Sequence, residues 1–339
     1  MLVVAACPND VGSIVLADVE GPLIHVPSAA RVKQWTEVHR LAVAGREPEI
    51  ARDVAARLAK AWLRRSMFAD VAALATATLS LGPDAGAYYD LGWAQSSTGQ
   101  PQQARRNFDE ALRLYREAGN RANEAATLNN LGHACHSLRD TQQALTHYHQ
   151  ALTIARDIGD RTGEATTLNN IGSVYHELGD RQQALTHYHQ ALPIRREVGD
   201  RAGEATTLNN IGGVYHRLGD PQQALTHYHQ ALPIHRETGN RTGEATTLNN
   251  ISAVQFQDGD FTEAKHALGE ALEVFRVIGD HASEASATFN MAALLSRMKR
   301  LDEAVEFQRR AVGLAEQTSH PGLNQMQAFL VQLEQTKKG

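Results

Sequence analysis

From about Asp84 to Thr318 the chain alternates two kinds of apolar segment, each with helical spacing and each closed by glycine and an acid or amide. In the stretch 161–200, Leu168, Ile171, Gly172 and Tyr175 fall on one face of a helix predicted over 162–178, at 100° per residue. Ala184, Tyr188, Ala191 and Leu192 fall on one face of the helix that follows. Gly179 supplies the left-handed residue that ends the first helix, and Asp180 with Gln183 three residues later forms a capping-box pattern for the second. The same spacing recurs as Asp140 with Gln143, Asp220 with Gln223, and Asp260 with Glu263.

The pattern repeats with a period of about 40 residues, and 161–200 and 201–240 are identical at most positions. Clean copies begin near Arg121, Arg161, Arg201 and Arg241, and looser ones near Asp84 and His281. Within a copy the two apolar faces must pack together. Small Gly172 and Ala184 allow close approach of the helices while Tyr175 and Tyr188 fill the space beside them. Glu164 is read as a first-turn carboxylate favoured by the helix dipole. Pro193 and Pro233 fall inside second helices, where each removes a backbone hydrogen bond, and a local bend is expected there.

The run Leu168-x-x-Ile171-Gly172-x-x-Tyr175, followed by Ala184-x-x-x-Tyr188-x-x-Ala191, resembles the tetratricopeptide repeat consensus. The resemblance covers 84–318 and implies an all-α fold, a right-handed superhelical α-solenoid of helix-turn-helix repeats. The unit is about 40 residues rather than 34 and lacks the usual proline at the end of the second helix. Units of this length resemble those of kinesin light chains, of spindle-orientation adaptors and of bacterial regulators in which the repeats follow a nucleotide-switch module. No glycine-rich Lys-Ser/Thr loop occurs in this chain, so any nucleotide-driven step belongs to a partner.

The flanks are read separately. Residues 1–27 are apolar and β-branched with turn residues between, which predicts an extended or short-strand segment. Residues 28–83 predict three helices, over 28–44, 48–65 and 67–81, forming a helical N-terminal cap or degenerate repeat. Residues 319–339 carry Met326, Phe329, Leu330 and Leu333 at helical spacing and predict a C-terminal capping helix.

In proteins of this family the first helix of each pair lines a concave groove, and the resemblance places Thr166, Asn169, Asn170, Ser173 and Glu177 toward it. One asparagine recurs per unit, at Asn130, Asn170, Asn210, Asn250 and Asn290, with Asp90 in the first unit. An amide offers donor and acceptor, so such a column can pair with an extended peptide backbone. In similar repeat adaptors an asparagine at this place contacts peptide. Duplication copies useful and neutral residues alike, so the same regularity fits solvated positions or bonds between neighbouring helices. Asn129, Asn169, Asn209 and Asn249 lie nearer the flank. The threonines Thr166, Thr206 and Thr246 share the stripe, while its other members vary among His133, Ser173, Gly213 and Ala253 and among Ser137, Glu177, Arg217 and Gln257. Variation in a constant frame suits reading one ligand side chain per pocket; drift would produce it too. Arg121, Arg161, Arg201 and Arg241 open the units, where they can attract an acidic partner or pair locally with neighbours such as Asp160 and Asp200.

Composition narrows the function classes. A net charge of -5 with no basic block gives no electrostatic reason to expect nucleic acid or an anionic membrane, and no run approaches a bilayer span. The apolar stretch at Leu2 to Cys7 lacks a basic flank and is broken by Pro8, so no export signal is expected. Two cysteines, Cys7 and Cys135, form no metal or redox pair, and Cys135 replaces the core Tyr175, reading as a buried thiol in a reducing, cytoplasmic setting. The repeated Thr-His-Tyr-His invites a metal, but His187 and His189 project about 160° apart, and they are read instead as exposed histidines of the outer helices. His176-Glu177 does not extend to the zinc-protease spacing, and no nucleophile elbow or dinucleotide fingerprint occurs. No cofactor, no metal and no catalytic residue are expected.

The expected function is that of an adaptor holding a peptide segment of a protein partner in the groove. The rival is a peptide-sensing regulator that controls a partner enzyme through a change of solenoid shape, and a third reading, an enzyme or enzyme subunit with chemistry within the N-terminal 80 residues, ranks last. Exposed ends of a repeat stack allow homo-oligomers, and nothing in the sequence selects them.

Overall fold

The computed structural model describes residues 29–338, so the extended segment expected over 1–27 lies outside the described residues. Sixteen α-helices account for the described fold, which contains no strand among those residues. They begin with α1 (Ala29–Ala44), α2 (Pro48–Leu63) and α3 (Phe68–Leu79), then alternate as first and second members of pairs. The first members are α4 (Ala85–Ser97), α6 (Arg121–Ser137), α8 (Arg161–Glu177), α10 (Arg201–Leu218), α12 (Arg241–Asp258) and α14 (His281–Arg297). The second members are α5 (Pro101–Glu117), α7 (Thr141–Asp157), α9 (Arg181–Glu197), α11 (Pro221–Glu237), α13 (Phe261–Ile278) and α15 (Leu301–Gln317), after which α16 (Leu323–Lys338) ends the stack. The chain separates into two compact units, one ending at Thr167 and the other starting at Leu168, both inside α8. Each unit is a stretch of α-solenoid.

The turns follow the side chains. Gly179 (φ 80°) and Gly219 (φ 78°) take the left-handed conformation that a Cβ disfavours. In two turns Arg139 (φ 62°) and Lys299 (φ 59°) adopt the same conformation without that freedom. Asp180 accepts from the Gln183 backbone N–H at 3.1 Å, and Asp140 and Asp220 do likewise at 3.3 and 3.0 Å. Asp260 makes no side-chain cap bond, so the pattern with Glu263 is not realised at α13. Pro193 and Pro233 sit on exposed positions of α9 and α11, which run 17 residues without interruption, the same as α7 with Thr153 in that place.

The seam within each pair joins a glycine to an aromatic ring. Tyr148, Tyr188 and Tyr228 are at most 2% exposed. A Cβ placed on Gly132, Gly172 or Gly212 would lie 2.5 to 2.7 Å from the tyrosine ring of its own unit, and one on Gly92 would lie 2.8 Å from Phe108. Glycine is therefore set by the ring packed on it. Where the ring is absent the glycine is absent too: Ser252 and Ala292 accompany Leu268 and the buried Gln308. Gln308 donates to the Met326 carbonyl at 2.6 Å and anchors α16.

Tyr175, expected on the same buried face, is only half-buried. Its ring stacks on His187 at 5.5 Å, and Tyr215 stacks on His227 at 5.3 Å. His147, His187 and His227 are half-buried, the last two as ring partners of Tyr175 and Tyr215, which corrects their reading as exposed; His149, His189 and His229 are exposed. Cys135 is fully buried, and burial pushes its thiol pKa up, which keeps it protonated and unreactive.

Candidate functional site

The repeated polar residues of the first helices divide into a buried brace and a half-buried stripe. The brace is one glutamate per repeat. Glu204 is 6% exposed and accepts from Arg196 of the preceding helix at 2.8 Å and from Arg201 of its own helix at 2.5 Å. Glu124 and Glu164 are held alike by Arg116 with Arg121 and by Arg156 with Arg161, and Glu244 by Arg236 with Arg241. Burial opposes ionisation of Glu124, but the two arginine hydrogen bonds outweigh it and its pKa lies below the ordinary glutamate value. The arginines that open the units are therefore paired locally, with the glutamate three residues on, and are not a free basic ladder. At the last repeat His281 and Arg310 take over the brace on Glu284.

The stripe carries the asparagines. In the second unit Asn169 Oδ1 accepts from Asn210 Nδ2 at 3.2 Å and from Thr207 Oγ1 at 3.2 Å. Asn209 accepts from Asn250 and Thr247, at 3.3 and 3.1 Å, and Asn249 from Asn290 at 3.1 Å. In the first unit Asn130 donates to Tyr89 Oη at 3.0 Å. Asn210, Asn250 and Asn290 thus each use one N–H to bond the asparagine that flanks the column in the preceding repeat, and an amide carries a second N–H and an oxygen that can bond a ligand. Asn130, Asn170, Asn210, Asn250 and Asn290 are all half-buried at the helix surface. Asn169, ranked lower from the sequence, is the buried acceptor that orients Asn210.

Around these amides, Ser173 is half-buried and shares a hydrogen bond of 3.1 Å with Tyr188 Oη, while Glu177 and Arg217 are exposed. Burial pushes the Tyr188 phenol up to about 12, with the Ser173 bond working against that shift, so it stays neutral. Burial lowers the His176 pKa, and the charges of Arg217 and Arg181 lower it further. Thr166 and Thr206 donate to the backbone carbonyls of Thr162 and Ala202, at 2.9 and 3.0 Å, and Thr246 is exposed. The arrangement offers neutral donors and acceptors with one acid and one base, which suits holding a polar chain. Among the described residues no group of three or more His, Cys, Asp or Glu side chains is arranged to hold a metal ion.

Overlapping copies of the tetratricopeptide repeat family model match 84–157, 123–197, 163–237, 203–277 and 243–317, which together span most of the sequence. The chain belongs to the tetratricopeptide repeat family. No curated protein matches it. Among solved structures, a signal transduction ATPase with numerous domains (STAND) protein from Pyrococcus horikoshii, with a tetratricopeptide repeat sensor, aligns with a TM-score of 0.70 at 17% identity, over 91% of this chain and 48% of that one. This chain therefore spans about half the length of the STAND protein. The apo form of RapI aligns with a TM-score of 0.62 at 16% identity, over 77% of this chain and 96% of that one. A Rap protein complexed with competence and sporulation factor gives 0.61 at 15% identity, over 91% and 97%. At such identities the likeness shows the fold.

As a tetratricopeptide protein the chain is an interaction repeat array, of the general kind that serves as adaptor or regulator. No helix among the described residues is long and apolar enough to cross a membrane. Two features of the tetratricopeptide units went unread in the sequence. The glutamate brace was visible as arginine eight and three residues before the same glutamate in successive copies. The pairing of each asparagine with the neighbouring repeat had no sequence signal, because it depends on the rotation between successive helices.

Proposed function

We propose that the stripe of the second unit, from Asn170 through Asn210 and Asn250 to Asn290, is a binding surface for a peptide segment of a partner protein. The observation that carries this reading is the orientation of the amides: Asn169, Asn209 and Asn249 each fix the next column amide by one hydrogen bond. A fixed amide loses little freedom when a peptide group pairs with it. Ser173, Glu177 and Arg217, with Thr206 and Thr246, vary the chemistry beside that constant row, and the first unit, taken by itself, carries residues of the same kind in Asn130 and Thr166. The partner is a protein or peptide in the cytoplasm, and no nucleic acid, membrane or cofactor enters the role.

A selection of random peptides displayed against the full chain tests it. Enriched peptides should bind at least about tenfold more weakly to the Arg217→Glu variant or to the Asn210→Ala, Asn250→Ala double variant, a loss of about 1.4 kcal/mol or more. Arg217→Glu alters an exposed side chain and should leave the fold intact, so undiminished binding to it and to the double variant would remove this surface as the site. A second reading has support from the fold shared with a tetratricopeptide sensor and with a Rap protein bound to a factor. In it, peptide binding changes the pitch of the array and thereby controls a partner enzyme. Solution scattering with and without a selected peptide separates the two, since a passive adaptor keeps its dimensions.

A further inference from the structure

The repeats 161–200 and 201–240 differ at two positions of the stripe, Ser173 against Gly213 and Glu177 against Arg217. Ser173 shares its hydrogen bond of 3.1 Å with the Tyr188 hydroxyl. One repeat later the tyrosine is kept, as Tyr228, and the serine is not. Tyr228 is 1% exposed, and its Oη has no hydrogen-bond partner among the described residues. What little of Tyr228 meets solvent includes that hydroxyl. A Cβ on half-buried Gly213 would lie 3.7 Å from it, an ordinary contact, with no other side chain beyond the chain neighbours within 4 Å. The missing serine thus leaves a notch in the stripe with a phenol at its floor. Burial raises the pKa of that phenol, so it stays neutral and keeps a proton to donate. One helical turn along α10 stands Arg217, exposed and without an ion pair among the described residues. Its charge reaches His176 on α8.

We propose that this notch receives the side-chain carboxylate of an aspartate or glutamate in the bound peptide and so fixes the register of that peptide on the repeats. The proposal rests on the stripe being the peptide surface and names one chemical requirement of its ligand. Tyr228 supplies a hydrogen bond, and Arg217 supplies the opposite charge at the rim; a bond to an ionised acceptor is about twice as strong as one between neutral groups. An ammonium would be repelled by Arg217, and a neutral hydroxyl would gain the phenol alone. The asparagine column cannot set register by itself, because a peptide displaced by one repeat would meet the same amides. The notch occurs once in the second unit. In the preceding repeat Ser173 already occupies Tyr188 and Glu177 opposes an acid, and in the following one Leu268 replaces the tyrosine and Gln257 the arginine.

The test uses the full chain and the peptides enriched by the display selection, each compared with versions in which its acids are changed one at a time to the matching amide. One such change should weaken binding to the wild type at least about tenfold, the lower end for a hydrogen bond to a charged group. On Gly213→Ser and on Tyr228→Phe the same change should cost less than about threefold, what an exposed charge pair with Arg217 alone supplies. Gly213→Ser installs the residue of the preceding repeat, and Tyr228→Phe leaves a ring that Phe108 already provides beside Gly92, so each variant backs up the other should one fold poorly. Peptides that need Asn210 and Asn250 but tolerate every acid-to-amide change would overturn the notch and leave the surface standing. An acid whose removal costs the same on all three proteins would overturn it as well. Peptides indifferent to Arg217→Glu and to the asparagine double variant would remove the surface, and the notch with it.

Discussion

Replacing Gly172 by alanine should destabilise the repeat even though alanine is the better helix former. The added methyl would lie 2.7 and 2.8 Å from two Tyr188 ring carbons and 3.1 Å from a third, where ordinary contact begins at 3.4 Å. The ring cannot slide freely, because it is 1% exposed and its hydroxyl is bonded to Ser173. Overpacking of this kind costs about 3 kcal/mol at its upper range, and the glycine-to-alanine gain in a helix interior is about 1 kcal/mol, leaving a net loss of about 2 kcal/mol. Tyr188→Leu makes room for the methyl, as Leu268 does beside Ser252 in the native chain. The double variant should therefore recover about 3 kcal/mol relative to the sum of the single changes, the whole of the clash, a coupling at the top of the range seen for touching residues. Native-state hydrogen exchange over peptides within 168–192 is the suitable assay, since repeat arrays unfold locally and a global midpoint blends the units. A stabilised Gly172→Ala protein, or single effects that add within about 0.5 kcal/mol, would refute the ring-on-glycine account.

Glu204→Gln should lower stability by about 1 to 3 kcal/mol, because it leaves Arg196 and Arg201 facing a neutral amide; an unchanged urea midpoint would count against the brace. Arg139→Gly should raise stability by about 1 kcal/mol by relieving the left-handed backbone, read as an upward shift in thermal midpoint, and a downward shift would contradict it. Burial lowers the pKa of His39 and of His235, so between the folded value and the unfolded one, about 6.5, the unfolded chain binds more protons. Stability should accordingly be complete above about pH 6.5 and fall on acidification below it. The slope should flatten in the His39→Gln, His235→Gln double variant, and equal slopes would rule these two imidazoles out.

Much of this was legible before any coordinates. The 40-residue period, the glycine stops and the two apolar faces located the helix pairs, because local propensity and burial pattern agree within every copy. Tyr175 misled because periodicity gives an angle around the helix but not how far the neighbouring helix covers it, and its ring lies at the edge of the core, stacked on His187 and only partly covered. The histidines misled for the same reason. The asparagine stripe, expected opposite the buried face, stands as a half-buried row with Asn169 buried, and its inter-repeat bonds depend on a rotation that no single repeat encodes. Asp90 reads in the sequence only as an exception in the column, because its burial against α2 and α3 depends on helix packing.

The joints between successive repeats are chemically interchangeable, and this bears on how such a chain can change over generations. Loss of the block 201–240 would place Arg241 directly after Asp200. Arg196 would then meet Glu244 as it now meets Glu204, and Asp200 would face the Gly243 N–H as it now faces that of Gly203. The shortened protein would need no new contact to close the gap. Gene slippage by one whole block is therefore a tolerated step, and the length of the array is free to grow or shrink in quanta of one repeat.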